Sequence, residues 1–164
     1  MKARAGLALA AIVAALVAVG CGSSDSSNSA TVTVETGSLS KAEFVKKADA
    51  ICEAARTEFL AKFKSFATSH ASEFADPNQR ETAFKNLVEM LLGPNVEGQI
   101  EQIGKLGAPS SYAPEAEAFL KALQDRIDKA REDPRGLMGT PYVFKKAEDV
   151  AKRVGLQGCS ESFS

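Results

Sequence analysis

The chain has 164 residues, 45% of them hydrophobic and 25% charged, with 20 Lys and Arg against 21 Asp and Glu, one histidine, three cysteines and no tryptophan. That is about one domain's worth of sequence with no basic excess, so nucleic acid is not an expected partner. Two tyrosines without a tryptophan leave few stacking platforms for sugars, and the sequence carries no Gly-rich phosphate loop and no nucleophile elbow.

Residues 1–20 open with Lys2 and Arg4, run through an apolar stretch from Ala5 to Val19 and end at Gly20, before Cys21. A charged start and a short apolar run read as a signal peptide, too short and wrongly flanked for a stable spanning helix. The stretch Val17-Ala18-Val19-Gly20-Cys21 resembles the lipobox of bacterial lipoproteins, which implies cleavage before Cys21 and acylation of that cysteine. The alternative is an ordinary secretory signal followed by an unrelated cysteine. Cleavage removes Lys2 and Arg4 and leaves 18 basic and 21 acidic side chains, a net charge of −3.

Export also changes the cysteine arithmetic. With Cys21 acylated, Cys52 and Cys159 remain as an even pair in a compartment that permits disulfides, and they are expected to be bridged. Two buried free thiols or half of a metal site are the alternatives, and neither cysteine has another Cys or His at metal-ligand spacing.

The serine-rich residues that follow lead into Thr31-Val32-Thr33-Val34, and 21–39 is expected to be a flexible tether. The Thr-Val alternation could make a short strand, but no second strand is in view. Ser40-Lys41-Ala42-Glu43 is a capping box, so a helix should start there. Phe44, Ala48, Ile51, Cys52, Ala55, Phe59, Phe63, Phe66 and His70 recur at steps of three and four, which predicts one long amphipathic helix over 40–75. A stripe of that length needs partner helices along all of it.

Asp76-Pro77 reads as the start of the next helical segment. Phe84, Leu87, Val88 and Leu91 share one face, Gly93-Pro94 interrupts, and Val96, Ile100 and Ile103 resume the pattern. Two helices, or one sharply bent helix, are expected over 77–106, antiparallel to the first. The loop 107–114 is followed from Glu115 by the stripe Ala116, Leu120, Leu123, Ile127 and Ala130, ending near Asp133-Pro134. Thr140-Pro141 then opens a last helix, with Phe144, Ala147, Val150, Ala151 and Val154 on its apolar face and Gly155 as its C-terminal cap.

The phrase Leu39-Ser40-Lys41-Ala42-Glu43-Phe44-Val45, then Ala48-Asp49-Ala50-Ile51-Cys52, and the closing Val154-Gly155-Leu156 with Cys159 resemble the ends of a group of small helical lipoproteins from high-GC actinobacteria. The resemblance implies a cell-envelope location and a disulfide-tied helical domain. It carries over no activity and no catalytic residue.

His70-Ala71-Ser72-Glu73 has the His-x-x-Glu form, which resembles the motif of imelysin-type envelope proteins and makes His70 and Glu73 the candidate metal ligands. A ferritin-like di-iron site needs two such elements on separate helices, which one histidine cannot supply. A mononuclear site would have to recruit carboxylates such as Glu81 or Glu89. The alternative is a lone histidine on an apolar stripe, bonded to a neighbour.

The expected fold class is therefore all-α, a mainly antiparallel up-down bundle of four to five helices over residues 40–164 with one disulfide. The expected role is a membrane-anchored, extracytoplasmic binding or interaction module without enzymatic activity or cofactor. Its partners are the membrane, through lipid on Cys21, and an envelope protein. One rival is a carrier of a small ligand or metal in the bundle interior with His70 and Glu73; another is a hydrolase of unrecognised type. Partner binding predicts an exposed apolar patch at Leu137-Met138 or Leu91-Leu92, whereas a carrier predicts a cavity with convergent polar groups.

Overall fold

The computed structural model describes residues 32–136 and 144–162, so the expected signal peptide, Cys21, Leu137-Met138 and the expected helix start at Thr140-Pro141 lie outside the described residues. The fold is all-α. Helix α1, Lys41–Ser69, begins at the capping box: Glu43 N–H donates to Ser40 Oγ at 3.3 Å and Ser40 N–H donates to Glu43 Oε2 at 3.0 Å. The Ser40 hydroxyl, which donates to Glu43 Oε2 at 2.7 Å, and then the Ser40 N–H hold the Glu43 carboxyl below its ordinary pKa.

The helix does not run on to residue 75. The hydroxyls of Thr68 and Ser69 bond back to the carbonyls of Lys64 and Ser65, which loosens a last turn. His70, at φ −109 and ψ 17, breaks the helix, and Ala71–Ala75 is a separate turn, α2. Asp76 does not open the next helix directly. Its carboxylate accepts from Asn78 N–H at 2.8 Å in an Asx-type turn, and α3, Arg80–Leu87, follows.

At Gly93-Pro94 the chain does not stop, and α3 passes into the next helix without a loop. A π turn, Val88–Leu92, in which Gly93 N–H bonds to Val88 O, leads straight into α4, Gly93–Gly104. Proline has no N–H to give and its ring collides with the carbonyl four residues back. Widening the preceding turn by one residue makes room for it. Leu91 and Leu92 are buried by this arrangement, at 7% and 9% exposure, so they form no surface patch. Helix α5 is Ala113–Glu132, and α6, Lys145–Val154, ends at Gly155 in the left-handed conformation with φ 91. The tail forms one more short helix, α7, Gln157–Glu161.

The long elements pack in the order α1, α4, α5, α6, and α7 closes back onto α1. Helices α1 and α4 run in opposite directions: Asn95 Nδ2 donates to Ala55 O at 2.9 Å, while Gly104, at the far end of α4, accepts from Glu35 N–H, ahead of α1. Phe44, Ala48 and Cys52 meet Val96, Ile103, Phe119, Leu120, Leu123, Ile127, Ala151 and Leu156 in one core. Tyr112 joins its top, its ring edge-on to Phe44 at 5.6 Å and its O–H donating to Val154 O at 2.7 Å.

Residues 32–39, expected as tether, belong to the folded domain. Val34 is 6% exposed and its N–H donates to Glu117 Oε1. A parallel bridge joins Thr36 to Ala108, with Gly37 N–H on Ala108 O and Ala108 N–H on Glu35 O, each 2.8 Å. The second extended stretch is the α4–α5 loop, which its Gly and Pro disguise as a plain turn.

The disulfide joins Cys52 to Cys159 across a separation of 107 residues, with the sulfurs 2.04 Å apart. Closing a loop of that length stabilises by about 4–5 kcal/mol on chain entropy. The Asp49 carboxylate caps α7 across the interface, accepting from Cys159 N–H at 3.0 Å. After the turn at Gly155, the short α7 and not the longer α6 carries Cys159 to Cys52. Among the described residues, no helix is long and apolar enough to cross a membrane.

Candidate functional site

Only Phe44, Ala48 and Cys52 of α1 are fully buried; below Cys52 the stripe is incompletely covered. Phe59 and Phe63, half-buried, stack on each other at 5.6 Å and face Phe84 and Leu87 of α3 across an open space. Leu92 of the π turn, Val96 of α4 and Phe144 supply further apolar wall, and the Cys52 half of the disulfide closes it. The result is a cleft of about 420 Å³, within the range of about 300–1,000 Å³ common to small-molecule sites. The exposed Arg56 and Leu60, the latter at 51%, mark its mouth.

Polar groups enter the wall from α4. Asn95 Nδ2 donates to Ala55 O, and Gln99 Nε2 donates to Asn95 Oδ1 at 3.0 Å. Gln99 is 3% exposed, and its Oε1 meets no donor from the described residues. A buried acceptor left this way costs about 1–3 kcal/mol. Arg126 Nε is the other such atom among the described residues, and Arg126 is not part of the cleft wall.

No protein-family model, no curated protein and no solved structure matches this chain.

His70 and Glu73 lie outside the cleft wall. Their side chains meet, His70 Nδ1 to Glu73 Oε1 at 3.0 Å, and the imidazole stacks on Phe66 at 4.2 Å. Phe66 in turn contacts Phe74, and Phe74 contacts Phe84, so His70 works as a rung in the aromatic ladder that holds α2 and α3 against the end of α1. No group of three or more His, Cys, Asp or Glu among the described residues is placed to hold a metal ion. Glu81 and Glu89 are engaged elsewhere, with Arg135 and Arg131.

Gln99 was legible as a position and not as a site. It sits three residues after Val96 and four before Ile103 on the apolar stripe of α4, where an amide is out of character. The periodicity of α1 likewise places Arg56 between Cys52 and Phe59, but only the partial cover of α1 turns that face into a cleft.

Proposed function

We propose that this chain is a lipid-anchored, extracytoplasmic binding protein that holds an apolar small molecule in the cleft between α1, α3 and α4. The observation that carries the reading is the cleft itself, about 420 Å³ walled by Phe59, Phe63, Phe84, Leu92, Val96 and Phe144. Aromatic and aliphatic walls with a few converging polar groups suit a ligand that is mostly apolar. The described lining holds no carboxylate and no imidazole, which favours binding over hydrolysis. The carrier reading thus rests on this cleft and not on His70 and Glu73.

The anchor rests on Lys2, Arg4, the apolar run and the lipobox-like residues before Cys21, and on the resemblance of both ends of the helical domain to small actinobacterial lipoproteins. Cys21→Ser should move the protein out of the membrane fraction; a variant that stays there contradicts lipid attachment.

Binding is tested with diphenylhexatriene, an apolar dye without a hydrogen-bond donor that brightens when it leaves water. The full chain should bind it saturably, and Phe63→Glu, which sets a charge in the wall at a half-exposed position, should weaken binding by about tenfold or more. Met90→Glu, on an exposed side chain outside the cleft wall, should not. Equal binding by all three proteins would remove the cleft as the site.

A further inference from the structure

We infer that the molecule held in the cleft carries a hydrogen-bond donor, a hydroxyl or an amide N–H, which Gln99 Oε1 accepts; this rests on the cleft being the binding site. The orientation of the amide follows from a relay of fixed sense. Ala55 O can only accept, so Asn95 must point Nδ2 at it, at 2.9 Å. Asn95 Oδ1 then faces Gln99 and requires Nε2 there, at 3.0 Å. Flipping Gln99 would set two acceptors against each other, and flipping both amides would do the same at Ala55. Gln99 Oε1 is therefore left as a buried acceptor on a residue that lines an apolar cleft, sealed in the empty protein and reached when the ligand parts the side chains over it.

Asn95 accounts for the Nε2 end of this amide, and no neighbour among the described residues accounts for Oε1. Val96 and Ile103 on the same stripe are 1% and 0% exposed, and a Leu at 99 would continue the pattern. Burying an amide with one end unpaired is unfavourable for the empty protein and becomes favourable when a donor arrives. An apolar body with a donor inside it describes a long-chain alcohol, a sterol-like or isoprenoid alcohol, or an acyl amide. Arg56 at the mouth, the one charged side chain in the described lining, favours an exposed end that is neutral or anionic.

The experiment is displacement of diphenylhexatriene from the full chain by decanol and, separately, by its methyl ether, which keeps the chain and the oxygen but loses the donor. In a plain apolar cleft the ether binds tighter, because it leaves less hydration behind. The inference predicts the reverse, with decanol competing at about tenfold lower concentration. Gln99→Leu should still bind the dye and should prefer the ether; Gln99→Met repeats the test should the Leu variant not fold. Equal competition, or preference for the ether, in the parent protein overturns the role of Gln99 and leaves the cleft standing. Failure of the dye to bind overturns the cleft reading itself.

Discussion

Tyr112 ties three parts of the chain together through one side chain. Its ring packs on Phe44, its hydroxyl donates to Val154 O, and Lys41 Nζ lies 4.4 Å above its ring centre. Tyr112→Phe keeps the ring and orphans the carbonyl, so it should lower stability by about 1–3 kcal/mol in a urea titration. Burial first, with the carboxylates of Glu115 and Asp49 adding to it, pushes the phenol up to about 12 from an ordinary 10.0. The unfolded chain therefore releases this proton first as pH rises, and the stabilisation present below pH 10 is lost between about 10 and 12. The Tyr112→Phe variant should lack that part of the alkaline decline; an unchanged profile would show that the phenol is not held in this way. At this scale the sequence was readable wherever a residue acts on near neighbours, as at Ser40, Glu43 and Gly155. It was silent on Gln99 Oε1, because a missing partner depends on every element packed around it.

Among the elements, the helices follow from their stripes and caps, while their interruptions depend on competition between local bonds. Thr68 and Ser69 bond back to the helix and His70 leaves it, although the apolar period continues past them. Pro94 signals a break in isolation, yet one widened turn is a smaller disturbance than ending a helix whose two halves both belong in the core. The docking of 32–39 was out of reach for a different reason: Val34 finds its partner, Glu117, 83 positions away. That segment has a narrow point. A Cβ on Gly37 would come within 2.7 Å of Gly107 Cα, and Gly107 itself sits at φ 78. Gly37→Ala should thus lift residues 32–39 off the α4–α5 loop, seen as faster protease cleavage within that segment while the helical circular dichroism persists. Cleavage at the parent rate would mean that the contact yields without releasing it.

For the whole molecule, the last described helix returns to the first: α7 is locked to α1 by Cys52–Cys159, by the Asp49 cap and by Gly158, whose absent side chain lets the Asp49 side chain approach. This lock holds the upper part of α1 firmly, where Phe44, Ala48 and Cys52 are buried. Below it α1 extends past the core, and its aromatic face is covered by α2 and α3 through the ladder of Phe66, Phe74 and Phe84. The cleft is the space between these two regimes, with the disulfide at one side and the aromatic ladder at the other. An all-α fold was foreseeable from periodicity; the cleft was not, because it arises from where helices stop covering one another. Its role is tested most directly by nuclear magnetic resonance of the full chain titrated with decanol, following assigned aromatic and methyl signals. The account predicts saturable shifts concentrated on Phe59, Phe63, Phe84, Leu92 and Val96. Shifts centred instead on exposed Met90, or scattered without saturation, would contradict it.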